Sequence, residues 1–546
     1  MSTLLFPGRH LVNTRFQFEY LRSLLGRAPA EIAGLQPGPE LPTTPIDRIV
    51  FAITSSNQEN SRYNPIPFYI RAIGVDRFAR SLQAASAPFS YRIVGIPHYG
   101  HTDNFASFTL KEIAGQSERT DLLSPADTLV LCSTPEVIAL YAQLGFSVAP
   151  AELGTQPPPA TPLALVRAIG EGGDLTAAAA HPLASELSSA TRSLFADFPE
   201  VPRRIARIYR DPLTNQDGSL TEKRNYATYA RGMNEILRLK YLDIRDAIRP
   251  GRIVDEGCAD GGLLAEIAAD FPDSDLYGID LSAEFAARFQ ERKRTGDFGN
   301  VYTCFYLRNL LDPIFEPESV DTTICNSTLH ELWSYAAEEA TVRDYLAKKF
   351  AQLRPGGRLI IRDVVGPERG DDIVLLECRA DDGEDLAPEQ IPAERPAALL
   401  QRLSTRSRFR LFATDFLHDL RASGRRAPDT KIRYTETAAG IRLTLRAAAE
   451  FLSKKDYTDN WRSEMNEEFC FWSFPQWRTV LGEVGFHVLD RTSTSAGSRV
   501  YLNSWIAEHR YRDHARLLAA DDPSRPLDFP PTNMVLIAEK PTHTRA

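Results

Sequence analysis

Two series of short apolar runs, parted by stretches of helical periodicity, constrain the fold of this chain more than any other feature. The first series is 3–6, 48–53, 91–96 and 127–132. The second is 252–255, 276–280, 301–306, 320–325 and 358–364, resumed at 486–491 and 533–539. Helical spacing fills the gaps, as at 15–25 and 135–144. Strands alternating with helices predict parallel sheets covered on both faces, so the fold class is α/β with two Rossmann-like parallel-sheet domains. The Pro-rich stretch 153–163 reads as a loop and the Ala-, Ser- and Leu-rich stretch 176–208 as helix. By its turn residues 211–221 reads as a hinge, and 222–248 reads as a further helix.

Composition narrows the class. Of 546 residues, 43% are hydrophobic and 25% charged, which excludes a disordered or fibrous chain. Lys and Arg number 63 against 72 Asp and Glu, a net charge of −9 that argues against sequence-independent nucleic-acid binding. The six cysteines (132, 258, 304, 325, 378, 470) form no CxxC pair, and no His/Cys cluster has zinc-ligand spacing. No metal site is expected from these spacings, and the cysteine usage fits a reducing cytoplasm. The opening MSTLLFPGRH is too short for a signal-peptide core, and no apolar run reaches membrane-spanning length.

The chemistry of the second series begins at IVDEGCADGGL, 253–263. A strand ends at Asp255, a turn of small residues follows at Gly257, Ala259 and Gly261, and a helix opens. Glycine lets backbone approach a ligand, and a helix N-terminus adds N–H groups and a positive dipole end. The next strand ends at Asp280, where an acid can accept hydrogen bonds from both hydroxyls of a ribose. The third ends near Asn309, whose amide suits a base edge. The fourth ends at Asn326 and Ser327, just before His330 and Glu331. An LRPGG turn then feeds the strand that holds Asp363.

In this order and spacing the elements resemble the class I S-adenosylmethionine-dependent methyltransferases, over about 250–365 and again at 473–490 and 533–540. The resemblance implies a seven-stranded sheet with its last strand antiparallel and S-adenosyl-L-methionine as cofactor. Asp255, Gly257, Ala259 and Gly261 would line its methionine part. Asp280 would hold the ribose, Leu281 and Asn309 would meet the adenine, and Asn326 and Ser327 would stand near the methyl. Tyr229, with Tyr226 on the helix before the first strand, would lie over it. Methyl transfer is an in-line displacement that needs alignment and, for a protonated nucleophile, a base. His330 leads as the catalytic residue, followed by Glu331 and Asp363. The structural alternatives are a helix-start histidine, a capping glutamate and an aspartate paired with an arginine. The segment 457–477, with Glu464 and Glu467, is expected beside the substrate cavity or as a plain hydrophobic cluster.

The first series opens with FPGRHLVNTRFQFEYL, a strand, a Gly-Arg turn and a helix. With its serine pair, Asn64-Pro65, Arg71, the IP strand, a Thr-Pro before a helix and Arg167, it resembles the nicotinamide-mononucleotide adenylyltransferase branch of the nucleotidyltransferases, over about 1–190. The departure lies at 14–17. The family's His-x-Gly-His or Thr-x-Gly-His reads Thr14, Arg15, Phe16, Gln17 here, and a Gln carries no charge against phosphate. The resemblance implies a degenerate domain that takes ATP or an NAD-like nucleotide with Mg through Gly8, Arg9, His10, Thr14, Gln17 and Arg167.

The expected organisation is a nucleotidyltransferase-like domain at 1–195, a helical linker and cofactor lid at 196–248, a methyltransferase core at 249–370, a large helical insertion at 371–472 and the completion of the sheet at 473–546. The insertion has an acidic part, 371–396, and a basic part, 402–446. These read as solvated helix faces or as a lid over an anionic substrate. The expected function is methyl transfer to a small-molecule acceptor in the cytoplasm, with neither nucleic acid nor membrane as partner. A bifunctional nucleotidyltransferase/methyltransferase and a non-catalytic nucleotide and S-adenosylmethionine sensor are the alternatives.

Overall fold

The structure, a computed structural model, describes residues 2–98, 104–150, 159–172, 182–211, 237–490 and 497–542. The chain divides into two compact units, Met1–Ser219 and Leu220–Ala546. Tyr226 and Tyr229 and most of the expected hinge fall outside the described residues.

The first unit is built on five parallel strands, β1 (Ser2–Gly8), β2 (Ile46–Thr54), β3 (Ser90–Ile96), β4 (Thr128–Cys132) and β5 (Ser147–Pro150), in the order β3-β2-β1-β4-β5. The strands are apolar along their length because both faces are covered. Leu21, Phe78 and Leu82 pack on one face, and Ile113, Ile138 and Tyr141 on the other. The strand order reverses between β1 and β4, which opens a crevice at their carboxyl ends. The helices Ser189–Asp197 and Glu200–Arg210 also belong to this unit, so the expected linker does not begin at 196.

The second unit holds β6 (Arg252–Glu256), β7 (Asp275–Asp280), β8 (Thr303–Leu307), β9 (Val320–Asn326), β10 (Leu353–Val364), β11 (Ile373–Cys378), β12 (Thr435–Thr437), β13 (Gly440–Thr444), β14 (His487–Val488), β15 (Arg499–Tyr501), β16 (Ala515–Ala519), β17 (Pro526–Leu527) and β18 (Asn533–Glu539). Its main sheet runs β14-β18-β10-β9-β6-β7-β8, with β15 an eighth strand on β18. β18 is antiparallel to both β10 and β14. The sheet thus has one strand more than the seven expected.

The insertion corrects a second expectation. It is not simply helical: β11, β12 and β13 join β16 and β17 in a separate antiparallel sheet, β12-β13-β11-β16-β17. The boundary at 472 does not hold either, since β16 and β17 come from the C-terminal segment yet complete this sheet. Ile373–Cys378 is a strand-length apolar run (IVLLEC), but the charges around it hid the signal. No helix among the described residues is long and apolar enough to cross a membrane.

Candidate active site

At the carboxyl end of β6 the backbone turns through positive φ at Gly257 (+73°), Ala259 (+47°) and Gly261 (+81°). A Cβ on Gly257 would stand 2.3 Å from Thr328 Oγ1, and one on Gly261 2.5 Å from the Phe289 ring. The two glycines therefore serve the turn and the packing beneath it, not only the approach of a ligand. Asp280, at the tip of β7, fastens the turn: Ala259 N donates to its Oδ2 at 3.0 Å and Ser282 N to its Oδ1 at 2.9 Å. Asp260 ties the same turn to the helix after β7, Ala283–Thr295, through Arg292 at 3.0 Å.

Two carboxyls of this turn titrate far above the carboxylate range. Burial pushes Asp280 up to about 6 against the opposing backbone N–H groups of Ser282 and Ala259, and the Glu331 charge adds to the rise. Burial, then the charges of Asp280 and Glu256, push Asp255 up to about 7, opposed by Lys240. Lys240 is itself buried and lowered to about 7 by desolvation and by Arg362. Two neighbouring acids, both raised and one raised by the charge of the other, suit a ligand that brings positive charge and hydroxyl donors. S-adenosylmethionine, with its sulfonium, ammonium and ribose, fits that donor set.

The other expected cofactor residues are placed unevenly. Asn326 and Ser327 end β9, and Ser327 Oγ lies 3.2 Å from Asn326 Oδ1 and 3.4 Å from Lys240 Nζ. Leu281 is half-buried next to Asp280. Asn309 is buried, and its side-chain oxygen accepts Leu311 N at 2.9 Å, so it braces a turn.

Beyond β9 the polar centre is His330. Its Nδ1 donates to Asp363 Oδ1 at 2.7 Å, and its Nε2 lies 3.4 Å from Glu467 Oε2. Asp363 is 1% exposed and also accepts Leu329 N and Val364 N, each at 2.8 Å. It therefore orients the imidazole and pairs with no insertion arginine. Burial works to lower the His330 pKa, but the Asp363 charge and hydrogen bond, with Glu331 and Glu464, outweigh it and raise it. The Phe469 ring stands edge-on to the imidazole at 5.0 Å.

His330 and Glu331 line a cavity of about 470 Å³ together with Ser327, Lys240, Glu464 and Glu467. Arg362, Tyr457, Trp505 and Arg510 also face it. The expectation that 457–477 borders a cavity is met by Glu464, Glu467 and Phe469. Lys240 and Arg510 were missed; the one available signal was a lysine on the buried stripe of Leu237–Ile244, beside Tyr241 and Ile244.

Several charges of the insertion are paired within it. Arg402 pairs with Glu384, Arg406 with Asp385, Arg410 with Glu436 and Arg395 with Asp415. The basic stretch thus has a reason to exist without an anionic substrate.

In the first unit the expected constellation does not assemble. Thr14 and Gln17 form a reciprocal capping box: Gln17 N donates to Thr14 Oγ1 at 3.0 Å and Thr14 N to Gln17 Oε1 at 3.1 Å. His10 Nε2 donates to Phe6 O at 3.0 Å, and burial lowers its pKa to about 4. It is neutral near pH 7 and offers phosphate no cation, which corrects the expectation for this residue. Gly8 packs against the His10 ring. Arg9 lies over the Tyr63 ring. Arg71 is buried and donates to the backbone oxygens of Arg9, Thr54 and Ser55 at 2.9, 2.8 and 2.8 Å, stitching together the ends of β1 and β2. Of the six expected residues, Arg167 alone lines a cavity of about 400 Å³, with Arg62, Glu171, Tyr209 and Arg210.

Residues 254–359 match the family model described as a methyltransferase domain. A comparison with curated proteins returns no match. Among solved structures, the chain is similar to the YcgJ protein of Bacillus subtilis at 13% identity and a TM-score of 0.28, over 56% of this chain and 98% of that one. It is also similar to geranyl diphosphate C-methyltransferase of Streptomyces coelicolor, solved with Mg²⁺, geranyl diphosphate and S-adenosyl-L-homocysteine, at 11% identity and a TM-score of 0.28, over 60% and 89%. Likenesses of this size say nothing of what this chain acts on. Over residues 254–359 the chain carries a methyltransferase domain.

Proposed function

We propose that this chain transfers a methyl group from S-adenosylmethionine to a small-molecule acceptor held in the cavity of about 470 Å³. One observation carries the reading: Ser327, His330 and Glu331 line the cavity at the end of β9, the strand next to β6, at whose end Asp255 is buried, and the Glu331 charge is felt by Asp280. A volume in the range of ~300–1,000 Å³ suits a small ligand.

The bound cofactor supplies an electrophilic methyl group. Asp280 is the acceptor for the ribose hydroxyls, and Asp255 and Asp280 together favour the cofactor's positive charge. Ser327 and Asn326, at the end of β9, border the approach to the methyl. Asp363 holds the imidazole through Nδ1, so Nε2 is the atom presented toward the acceptor. Tyr457 and Phe469 keep one wall apolar and limit water.

For the first unit we infer nucleotide binding without nucleotide transfer. Three guanidinium groups, of Arg62, Arg167 and Arg210, around one cavity support binding. A neutral His10 and a Gln17 spent on a helix cap speak against transfer.

One thermal-shift panel tests both readings, with S-adenosylmethionine, S-adenosylhomocysteine, ATP and NAD against the full chain and two variants. S-adenosylhomocysteine should raise the melting temperature of the wild type and of Arg167→Ala. In Asp280→Asn its affinity should fall by ~10–100-fold, the worth of hydrogen bonds to a charged group. ATP or NAD should lose its shift in Arg167→Ala alone. No shift of the wild type by either sulfur ligand overturns the transfer reading, and none by ATP or NAD overturns the nucleotide reading.

A further inference from the structure

We propose that His330 Nε2, Glu331 and Glu467 form a site for one divalent cation, which draws in and activates the oxygen or nitrogen of the acceptor. The inference rests on the transfer reading above and adds how the acceptor is activated.

The donor atoms of the three residues all lie within 4.8 Å of one another. His330 Nε2 and Glu467 Oε2 are 3.4 Å apart. Ligand atoms each about 2.1 Å from a metal at a tetrahedral angle are separated by nearly that distance. The pair is therefore spaced for a shared ion without rearrangement.

The imidazole is held as a ligand needs to be held. Asp363 takes Nδ1–H at 2.7 Å and is itself locked by two backbone N–H groups. Such a carboxylate behind a histidine fixes the tautomer and the ring orientation of metal-bound histidines. The Tyr335 hydroxyl donates to the second oxygen of Glu467 at 3.4 Å. The cavity of about 470 Å³ lies against all three donors and leaves room for water and an acceptor atom to complete the sphere. One imidazole nitrogen with two carboxylate oxygens suits Mg²⁺, Mn²⁺ or Zn²⁺ rather than a soft ion.

An acceptor O–H or N–H beside such an ion gives up its proton more readily. Glu464, whose side chain lines the same cavity, takes that proton. The electron pair left behind attacks the methyl carbon, the carbon–sulfur bond breaks, and the sulfonium leaves as a neutral thioether. The set was hidden in the sequence because Glu467 stands at the far end of the insertion from His330 and Glu331.

Calorimetric titration of the chelator-stripped full chain with Mn²⁺ and with Zn²⁺ tests the site. One ion should bind per chain, with affinity reduced by ~10–100-fold or more in Glu331→Gln and in Glu467→Gln. Glu331 is half-buried at the cavity wall, so its variant keeps the test alive if Glu467→Gln fails to fold. No binding to the wild type, or binding undiminished in the folded variants, overturns the site. A wild-type chain that binds the ion but shows no shift with S-adenosylhomocysteine overturns the transfer reading, and with it the activating role.

Discussion

At the carboxyl end of β1 the polar side chains are spent on the fold, whereas at the ends of β7 and β9 the fold holds them and leaves them facing a crevice and a cavity. Thr14 and Gln17 satisfy each other, His10 is neutral on a backbone carbonyl, and Arg71 is tied to three backbone oxygens. Asp280 also accepts two backbone N–H groups, but a carboxylate has further lone pairs to offer. His330 is bound at Nδ1 by Asp363, and its Nε2 side meets Glu467 and the cavity. The lesson concerns capacity. A residue in a motif position is available for chemistry only when its partners leave a donor or acceptor over.

The largest test of that contrast is at His330. His330→Gln keeps a donor for Asp363 but removes the imidazole. It should slow methyl transfer by ~10²–10⁴, the range for loss of a group that acts on the reacting proton or its activating centre. The shift with S-adenosylhomocysteine should be unchanged. A rate within a few-fold of wild type would place His330 with His10, as a histidine that only supports the fold.

Much of this contrast was legible in residues and spacing, and the exceptions have physical causes. The runs at 48–53 and 533–539 became β2 and β18 because parallel or central strands buried on both faces must be apolar throughout. Asp280 was visible because a strand-tip acid before a helix is a local pattern. The His330–Asp363 pair was not, since it joins the start of a helix to the end of β10, and strand order decides which ends meet. At 14–17 the signal was local. A Thr-x-x-Gln pattern before a helix is itself a capping signature, and here local chemistry outweighed the resemblance. The charged stretches of the insertion misled because sequence shows their sign but not their pairing.

A smaller effect is expected from pH at the buried histidine of the first unit. The His10 pKa is about 4 when folded, against an ordinary 6.5. Below about 6.5 the unfolded chain gains a proton that the native chain refuses. Stability therefore falls as pH falls from about 6.5 to about 4, by ~3 kcal/mol in all, and the loss levels off below that. His10→Asn, which tolerates the positive φ of +47° at this position, should remove this component from a stability–pH curve. An acid-side slope identical in both proteins would mean that His10 is charged in the fold, which would return it to the anion-binding set.

The smallest effect bears most directly on why the two ends differ. If 14–17 is a helix cap and no more, Thr14→Ala should cost about 1 kcal/mol of stability through the lost side-chain acceptor for Gln17 N. ATP or NAD affinity, read on the folded fraction, should not change. Gln17→Ala should cost a similar or smaller amount, and the double variant less than the sum, because each removes one half of the same reciprocal pair. Additive losses would show two independent roles, one of them outside the cap. A nucleotide affinity that fell ~10-fold in Thr14→Ala without loss of stability would mean that β1 still presents a ligand-binding hydroxyl, and the two sheet ends would then differ in degree rather than in kind.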